Sequence, residues 1–139
     1  MTLGMIKPDA TGAGKTGKII AHIEQAGFTI AAMKMVRLTA PRAREFYAEH
    51  EGKPFYEPLV EFITSGPVVA MALKSPDAVK KFREVIGATD PAEAAGGTVR
   101  KLFAESKSRN AVHGSDSPAS AERELNFFFS PDELLPGAE

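Results

Sequence analysis

The chain has 139 residues, 43% of them hydrophobic and 25% charged, with a net charge of −1 and no cysteine. A single domain of that size buries a core without disulfides, and the missing cysteines exclude thiol nucleophiles and cysteine-ligated metals. Near-neutral charge gives no basis for binding nucleic acid or a membrane surface, so any attraction for phosphate has to be local. The apolar run Leu3–Ile6 is too short for a signal peptide, and no segment reaches membrane-spanning length. These features predict one cytoplasmic domain over residues 1–139.

Strands and helices alternate along the chain. Thr2–Ile6 reads as a short buried strand stopped by Pro8, and Lys18–Ala26 as an amphipathic helix with Ile19, Ile20, Ile23 and Ala26 on one face and Gly27 as its C-terminal cap. Phe28–Leu38 alternates as a strand, with Phe28, Ile30 and Ala32 opposing Thr29 and Ala31. Thr39 caps a helix with Pro41 in its first turn, and a second short helix covers Tyr56–Thr64, ended by Ser65-Gly66-Pro67. Val68–Leu73 is a continuous apolar run suited to a central strand. Ser75-Pro76-Asp77 starts the next helix, whose buried stripe is Val79, Phe82, Val85 and Ile86.

From Gly87 to Asn110 the pattern breaks into a long, mostly polar segment, with a short helix expected after Asp90-Pro91. So long an irregular connection inside a compact domain is usually functional. Asn110–Gly114 reads as a brief strand, and Ser117-Pro118 opens a final helix carrying Glu124. The order is β-α-β-β-α-β, an α+β ferredoxin-like sandwich: a four-stranded antiparallel sheet with helices packed on one face.

Gly12-Ala13-Gly14-Lys15-Thr16-Gly17-Lys18 lies where a P-loop would, but the pattern fails in both registers. Counting back from Gly14-Lys15-Thr16, the first glycine position holds Asp9; counting from Gly12, Ile19 replaces the required serine or threonine. A flexible turn leading into the helix is the better reading, which argues against a P-loop small-molecule kinase.

The stretch Asn110-Ala111-Val112-His113-Gly114-Ser115-Asp116-Ser117, with Glu124 eleven positions past the histidine, is the most informative in the chain. A neutral imidazole is a nucleophile near neutral pH, whereas a hydroxyl needs a base. Gly114 leaves the ring approachable, and the helix that follows offers an orienting carboxylate. His22 and His50 carry no comparable surroundings: His22 faces away from the isoleucines, and His50 falls near a helix C-terminus.

This octet, with Lys7-Pro8-Asp9 and Ser65-Gly66-Pro67-Val68-Val69-Ala70-Met71, resembles the nucleoside diphosphate kinase family over essentially the whole chain. The resemblance implies ping-pong transfer of a γ-phosphoryl group from a nucleoside triphosphate to a nucleoside diphosphate through a phosphohistidine. It implies His113 as nucleophile, Glu124 as the carboxylate fixing the imidazole tautomer, Ser115 as the hydroxyl supporting that pair, and Tyr47 as a tyrosine ordering the site. Two helical turns separate Glu124 from a cap at Ser117, close enough to point back at the preceding strand. Arg83, Thr89 and Arg100 match the phosphate clamp, a task suited to forked guanidinium groups. Lys7 and Asn110 match the groups holding the ribose hydroxyls, with Lys7 also reaching the transferred phosphoryl.

Phe55 and Leu59 match the pair that sandwiches the base, although an apolar i, i+4 pair is equally what a core requires. Stacking engages a face common to every base and so tolerates all of them. Arg37, Arg42, Arg44, Arg109 and Arg123 read as ordinary surface arginines. Mg²⁺ is expected to arrive with the nucleotide, held by phosphates and water more than by protein. A homo-oligomer, tetramer or hexamer built from a common dimer, is implied as well. The competing reading is a catalytically silent nucleotide-binding module, which loss of His113, Glu124 or a clamp arginine would have favoured; none is lost.

Overall fold

The computed structural model describes residues 1–134. Its elements are β1 (Thr2–Ile6), α1 (Pro8–Gly12), α2 (Thr16–Gln25), β2 (Thr29–Val36), α3 (Ala40–Phe46), α4 (Tyr56–Ile63), β3 (Val68–Lys74), α5 (Ala78–Ile86), α6 (Val99–Phe103), β4 (Val112–Gly114) and α7 (Pro118–Phe128). Single 3-10 turns lie at Ala48–His50 and Pro131–Glu133. The strands run β2-β3-β1-β4 with every neighbouring pair antiparallel, the ferredoxin-like order.

Helices cover both faces of the sheet rather than one. Side chains alternate across a strand, and in β1 and β3 both sets are buried. Leu3, Met5, Val68, Ala70 and Ala72 pack with residues of α3, α4 and α7, including Phe46, Val60, Ile63, Leu125 and Phe128. Ile6, Val69, Met71 and Leu73 pack on the other side with Ile19, Ile23, Phe82, Ile86 and Val99 from α2, α5 and α6. That is why Val68–Leu73 reads as a continuous apolar run.

Several boundaries differ from the sequence reading, each for a local reason. Pro8 ends β1 but also opens α1, where its missing N–H costs nothing. In β2 a bulge between Ile30 and Ala32 leaves Ala31 outside the ladder and buried, so the simple alternation fails there. The segment after Asp90-Pro91 forms only a hydrogen-bonded turn, Ala94 N–H to Asp90 C=O at 3.1 Å. The helix forms beyond Gly96-Gly97 instead, where Thr98 caps α6 by accepting from the Lys101 N–H. Thr39 and Ser117 cap α3 and α7 as their sequences predict, accepting from Arg42 and Ser120 N–H. In α5 the buried residues are Ala78, Phe82 and Ile86, with Val79 and Val85 at the margin.

Gly114 serves packing beneath the sheet more than access above it. A Cβ there would lie 2.9 Å from Phe82 and 3.1 Å from Ile86, and one on its ladder partner Gly4 would lie 2.8 Å from Leu73. Both glycines let the Phe82 ring approach the backbone closely. Gly114→Ala should therefore lower unfolding free energy by about 1–3 kcal/mol, the usual cost of overpacking. Urea denaturation checks this, and an unchanged midpoint would contradict it.

Candidate active site

β4 is three residues long and, among the described strands, pairs with β1 alone, Met5 standing opposite His113. Its alternation sends Val112 and Gly114 toward α5 and turns His113 to the face covered by α3 and α7. There the His113 ring meets Phe46 edge to face, centroids 5.5 Å apart. His113 Nε2 lies 2.8 Å from Glu124 Oε1, and the Ser115 hydroxyl donates to the same oxygen at 2.8 Å. A carboxylate only accepts, so Nε2 carries the proton and Nδ1 keeps the lone pair.

Glu124 is only 4% exposed and Ser115 is fully buried. Burial pushes the Glu124 carboxyl up, but His113, the Ser115 hydroxyl and nearby Arg123 together hold it below the ordinary carboxylate value. Arg123 approaches the second carboxylate oxygen at 3.5 Å while also donating to the Phe46 carbonyl at 3.3 Å.

His113 and Glu124 border a cavity of about 230 Å³ whose wall also includes Lys7, Tyr47, Thr89, Arg100 and Asn110. Lys7, at the end of β1, donates to Asn110 Oδ1 at 2.9 Å. Burial brings its ammonium down to about 8, Arg100 pushes the same way, and Asp9 opposes them. Arg100 is held by the carbonyls of Gly87 and Val112, both at 2.9 Å, and burial with the neighbouring Arg83 charge lowers it to about 10. The Tyr47 hydroxyl is buried with no hydrogen-bond partner among the described residues, and burial, reinforced by Glu124, raises its pKa. A wider cavity of about 670 Å³ adjoins the first, sharing Thr89 and Arg100 and adding Arg83.

The sequence model of the nucleoside diphosphate kinase family matches residues 1–134. The chain belongs to that family. It is 57% identical over 137 residues to the nucleoside diphosphate kinase of Psychromonas ingrahamii, covering 99% of this chain and 95% of that protein. For the enzyme of Sorangium cellulosum the figure is 53% at the same coverage. Among solved structures, nucleoside diphosphate kinase from Aquifex aeolicus superposes with a TM-score of 0.94 at 48% identity, over 96% of this chain and 97% of that one. The Halobacterium salinarum enzyme in complex with CDP gives 0.92 at 43%, covering 96% and 90%.

Nine of the eleven residues singled out from the family resemblance fall together. Lys7, Tyr47, Leu59, Thr89, Arg100, Asn110, His113 and Glu124 line the smaller cavity, and Ser115 stands directly behind Glu124. Arg83 lies one step away in the adjoining cavity, its guanidinium 3.4 Å from the Asp116 carbonyl. Phe55 lies outside the cavity wall, 49% exposed, its ring 5.2 Å from that of the cavity-lining His50; that exposure excludes a purely core role.

Two residues read from sequence as unremarkable, and one quoted only as part of the Lys7-Pro8-Asp9 motif, also belong here. His50 lines the cavity with Nδ1 buried and without a hydrogen-bond partner among the described residues, brought there by the 3-10 turn after α3. Arg123, read as an ordinary surface arginine, links Glu124 to Glu49. Asp9 is buried behind Lys7. A position next to Glu124 was the only available signal for Arg123, and its reach depends on the turn of α7. The Gly12–Lys18 segment does not join the site: Lys15 is tied to the Phe103 carbonyl at 2.9 Å.

Lys7 gives a signed pH dependence. Between about 8 and the ordinary 10.5, the unfolded chain holds a proton that the folded chain has released. Folding stability from this group therefore rises with pH across that window, and the penalty of a buried ammonium is fully present below it. Urea unfolding of the wild type and Lys7→Met across this range should show the wild type gaining relative stability as pH rises. A difference independent of pH would contradict this.

Proposed function

We propose that this chain moves the γ-phosphoryl group of a nucleoside triphosphate to a nucleoside diphosphate in two half-reactions through His113. The observation that carries this reading is the hydrogen bond that orients the imidazole: Nε2–H is taken by Glu124, leaving Nδ1 as nucleophile. In the first half-reaction the Nδ1 lone pair forms the N–P bond as the bond from phosphorus to the β,γ-bridging oxygen breaks. The nucleoside diphosphate leaves with that electron pair. The imidazolium retains its Nε2 proton against Glu124, whose negative charge offsets the positive charge on the ring. The second half-reaction reverses these steps on a different diphosphate.

The surrounding residues fit the remaining tasks. Arg100, Arg83 and Thr89 would hold phosphate oxygens, with charge fixed in advance around a loose transition state. Lys7 would reach the transferred group and, with Asn110, the ribose hydroxyls; Tyr47 supplies a buried hydroxyl beside the nucleophile. The half-exposed Phe55 ring and Leu59 would stack on the base without reading its edge. Mg²⁺ would enter as part of the nucleotide substrate. Among the described residues no group of three or more His, Asp or Glu side chains is arranged to hold a metal, and the cavity's ligands toward phosphate are largely cationic. The ion would neutralise phosphate charge there.

A homo-oligomer suits the exposed edge strand β2, on which Met33 and Met35 are 50% and 60% exposed. No helix among the described residues is long and apolar enough to cross a membrane, and a cytoplasmic location fits the cysteine-free composition.

Intact-protein mass after brief exposure to ATP and Mg²⁺ tests the reading. One phosphoryl group should be gained, then lost on addition of GDP as GTP appears. His113→Ala should abolish the gain and cut steady-state transfer by about 10⁴-fold or more, as for other lost nucleophiles, with nucleotide binding retained. Nucleotide binding without any mass gain in the wild type would instead place the chain as a silent nucleotide-binding module.

A further inference from the structure

Asn110 and His113 are three residues apart, which in an extended strand would put them on opposite faces, yet both line one cavity. The backbone between them explains this. Ala111 has φ +72° and the Val112 N–H donates back to the Asn110 carbonyl at 2.8 Å, so residues 110–112 form a γ-turn of the rare, strained hand. Ala111 and Val112 consequently both point into the core beneath α5, breaking the alternation before β4 begins.

Alanine is a poor residue for that conformation, and two hydrogen bonds hold it there. The Lys7 N–H donates to the Ala111 carbonyl at 2.8 Å, and the Ala111 N–H donates to Asp9 Oδ2 at 3.0 Å. Ala111 is fully buried and Asp9 is 93% buried, so no solvent is at hand to replace the second bond. Asp9 reaches it only because Pro8 turns the chain from β1 into α1.

We infer that Asp9 is a positioning residue for the transfer reaction, its carboxylate holding the γ-turn that brings Asn110 and His113 into one cavity. The inference rests on the proposed phosphotransfer and adds a residue that touches neither nucleotide nor nucleophile. Lys7-Pro8-Asp9 thereby acquires a physical account: one residue for the cavity, one to turn the chain, one to brace the opposite strand.

The test is single-turnover phosphorylation of His113 from ATP–Mg²⁺, at a temperature where circular dichroism shows every variant folded. At saturating ATP, Asp9→Ala should slow phosphorylation about 10–100-fold, and Asp9→Asn about threefold, because a neutral acceptor bonds roughly half as strongly as an ionised one. Glycine adopts positive φ without strain, so the cost of Asp9→Ala should shrink at least about threefold in an Ala111→Gly background. A purely global destabilisation would cost the same in both backgrounds. Wild-type rates in Asp9→Ala, or equal costs in the two backgrounds, would overturn the inference.

If Asp9→Ala does not fold, Asp9→Asn with and without Ala111→Gly carries the same comparison, and an undiminished rate in Asp9→Asn overturns it. Absence of phosphorylation in the wild type would instead fell the kinase reading and this inference with it. Phosphorylated wild type with an unimpaired Asp9→Ala fails the inference alone.

Discussion

The site depends on a buried carboxylate that must stay ionised. Taking Glu124 out of water costs several kcal/mol unless donors replace the lost hydration. His113 Nε2–H and the Ser115 hydroxyl do so on one oxygen, and Arg123 stands near the other. The same arrangement that makes the burial tolerable selects the imidazole tautomer. Ser115 is itself tied back to β1, its hydroxyl accepting from the Leu3 N–H at 3.4 Å. Carboxylate, hydroxyl and imidazole are therefore fixed to the central sheet, and little motion is left to organise when substrate enters.

The double-faced sheet makes that fixation possible. β1 and β3 are buried on both sides, so β1 is a rigid support for the three residues of β4. Because neighbouring residues point to opposite faces, β4 splits its duties: Val112 and Gly114 anchor against α5, and His113 faces α3 and α7. Gly114 is the tight point, since Phe82 fills the space its side chain would occupy. On the cavity side, cationic groups are crowded: burial first, then the charge of Arg100 on Lys7 and of Arg83 on Arg100, holds both down. A polyanionic substrate relieves that repulsion, so part of the attraction for phosphate comes from the crowding of these cations.

The strands and the helices capped at Thr39 and Ser117 were legible because each rests on local patterning: a cap with proline in the first turn, and apolar runs at Thr2–Ile6 and Val68–Leu73. The site was legible through the octet around His113 and its spacing to Glu124. What escaped depends on contacts between segments distant in sequence. The bulge at Ala31 follows from pairing with β3, and the γ-turn at Ala111 from hydrogen bonds more than a hundred residues away. Nothing in Ala111-Val112 itself announces a positive φ. Arg123 and His50 carried no signal of their own, because only the packing of α7 brings Arg123 to Glu124 and only the turn after α3 brings His50 to the cavity.

The central claim is that Glu124 directs chemistry to one nitrogen of His113, and the most direct test is the position of the phosphoryl group on the ring. The protein, labelled with ¹⁵N-histidine and phosphorylated from ATP, is suited to long-range ¹H–¹⁵N and ³¹P–¹⁵N correlation spectra. Phosphorus coupled to Nδ1, with a slowly exchanging proton on Nε2, is the predicted result. Phosphorus on Nε2, or on a serine hydroxyl, would contradict the account at its base.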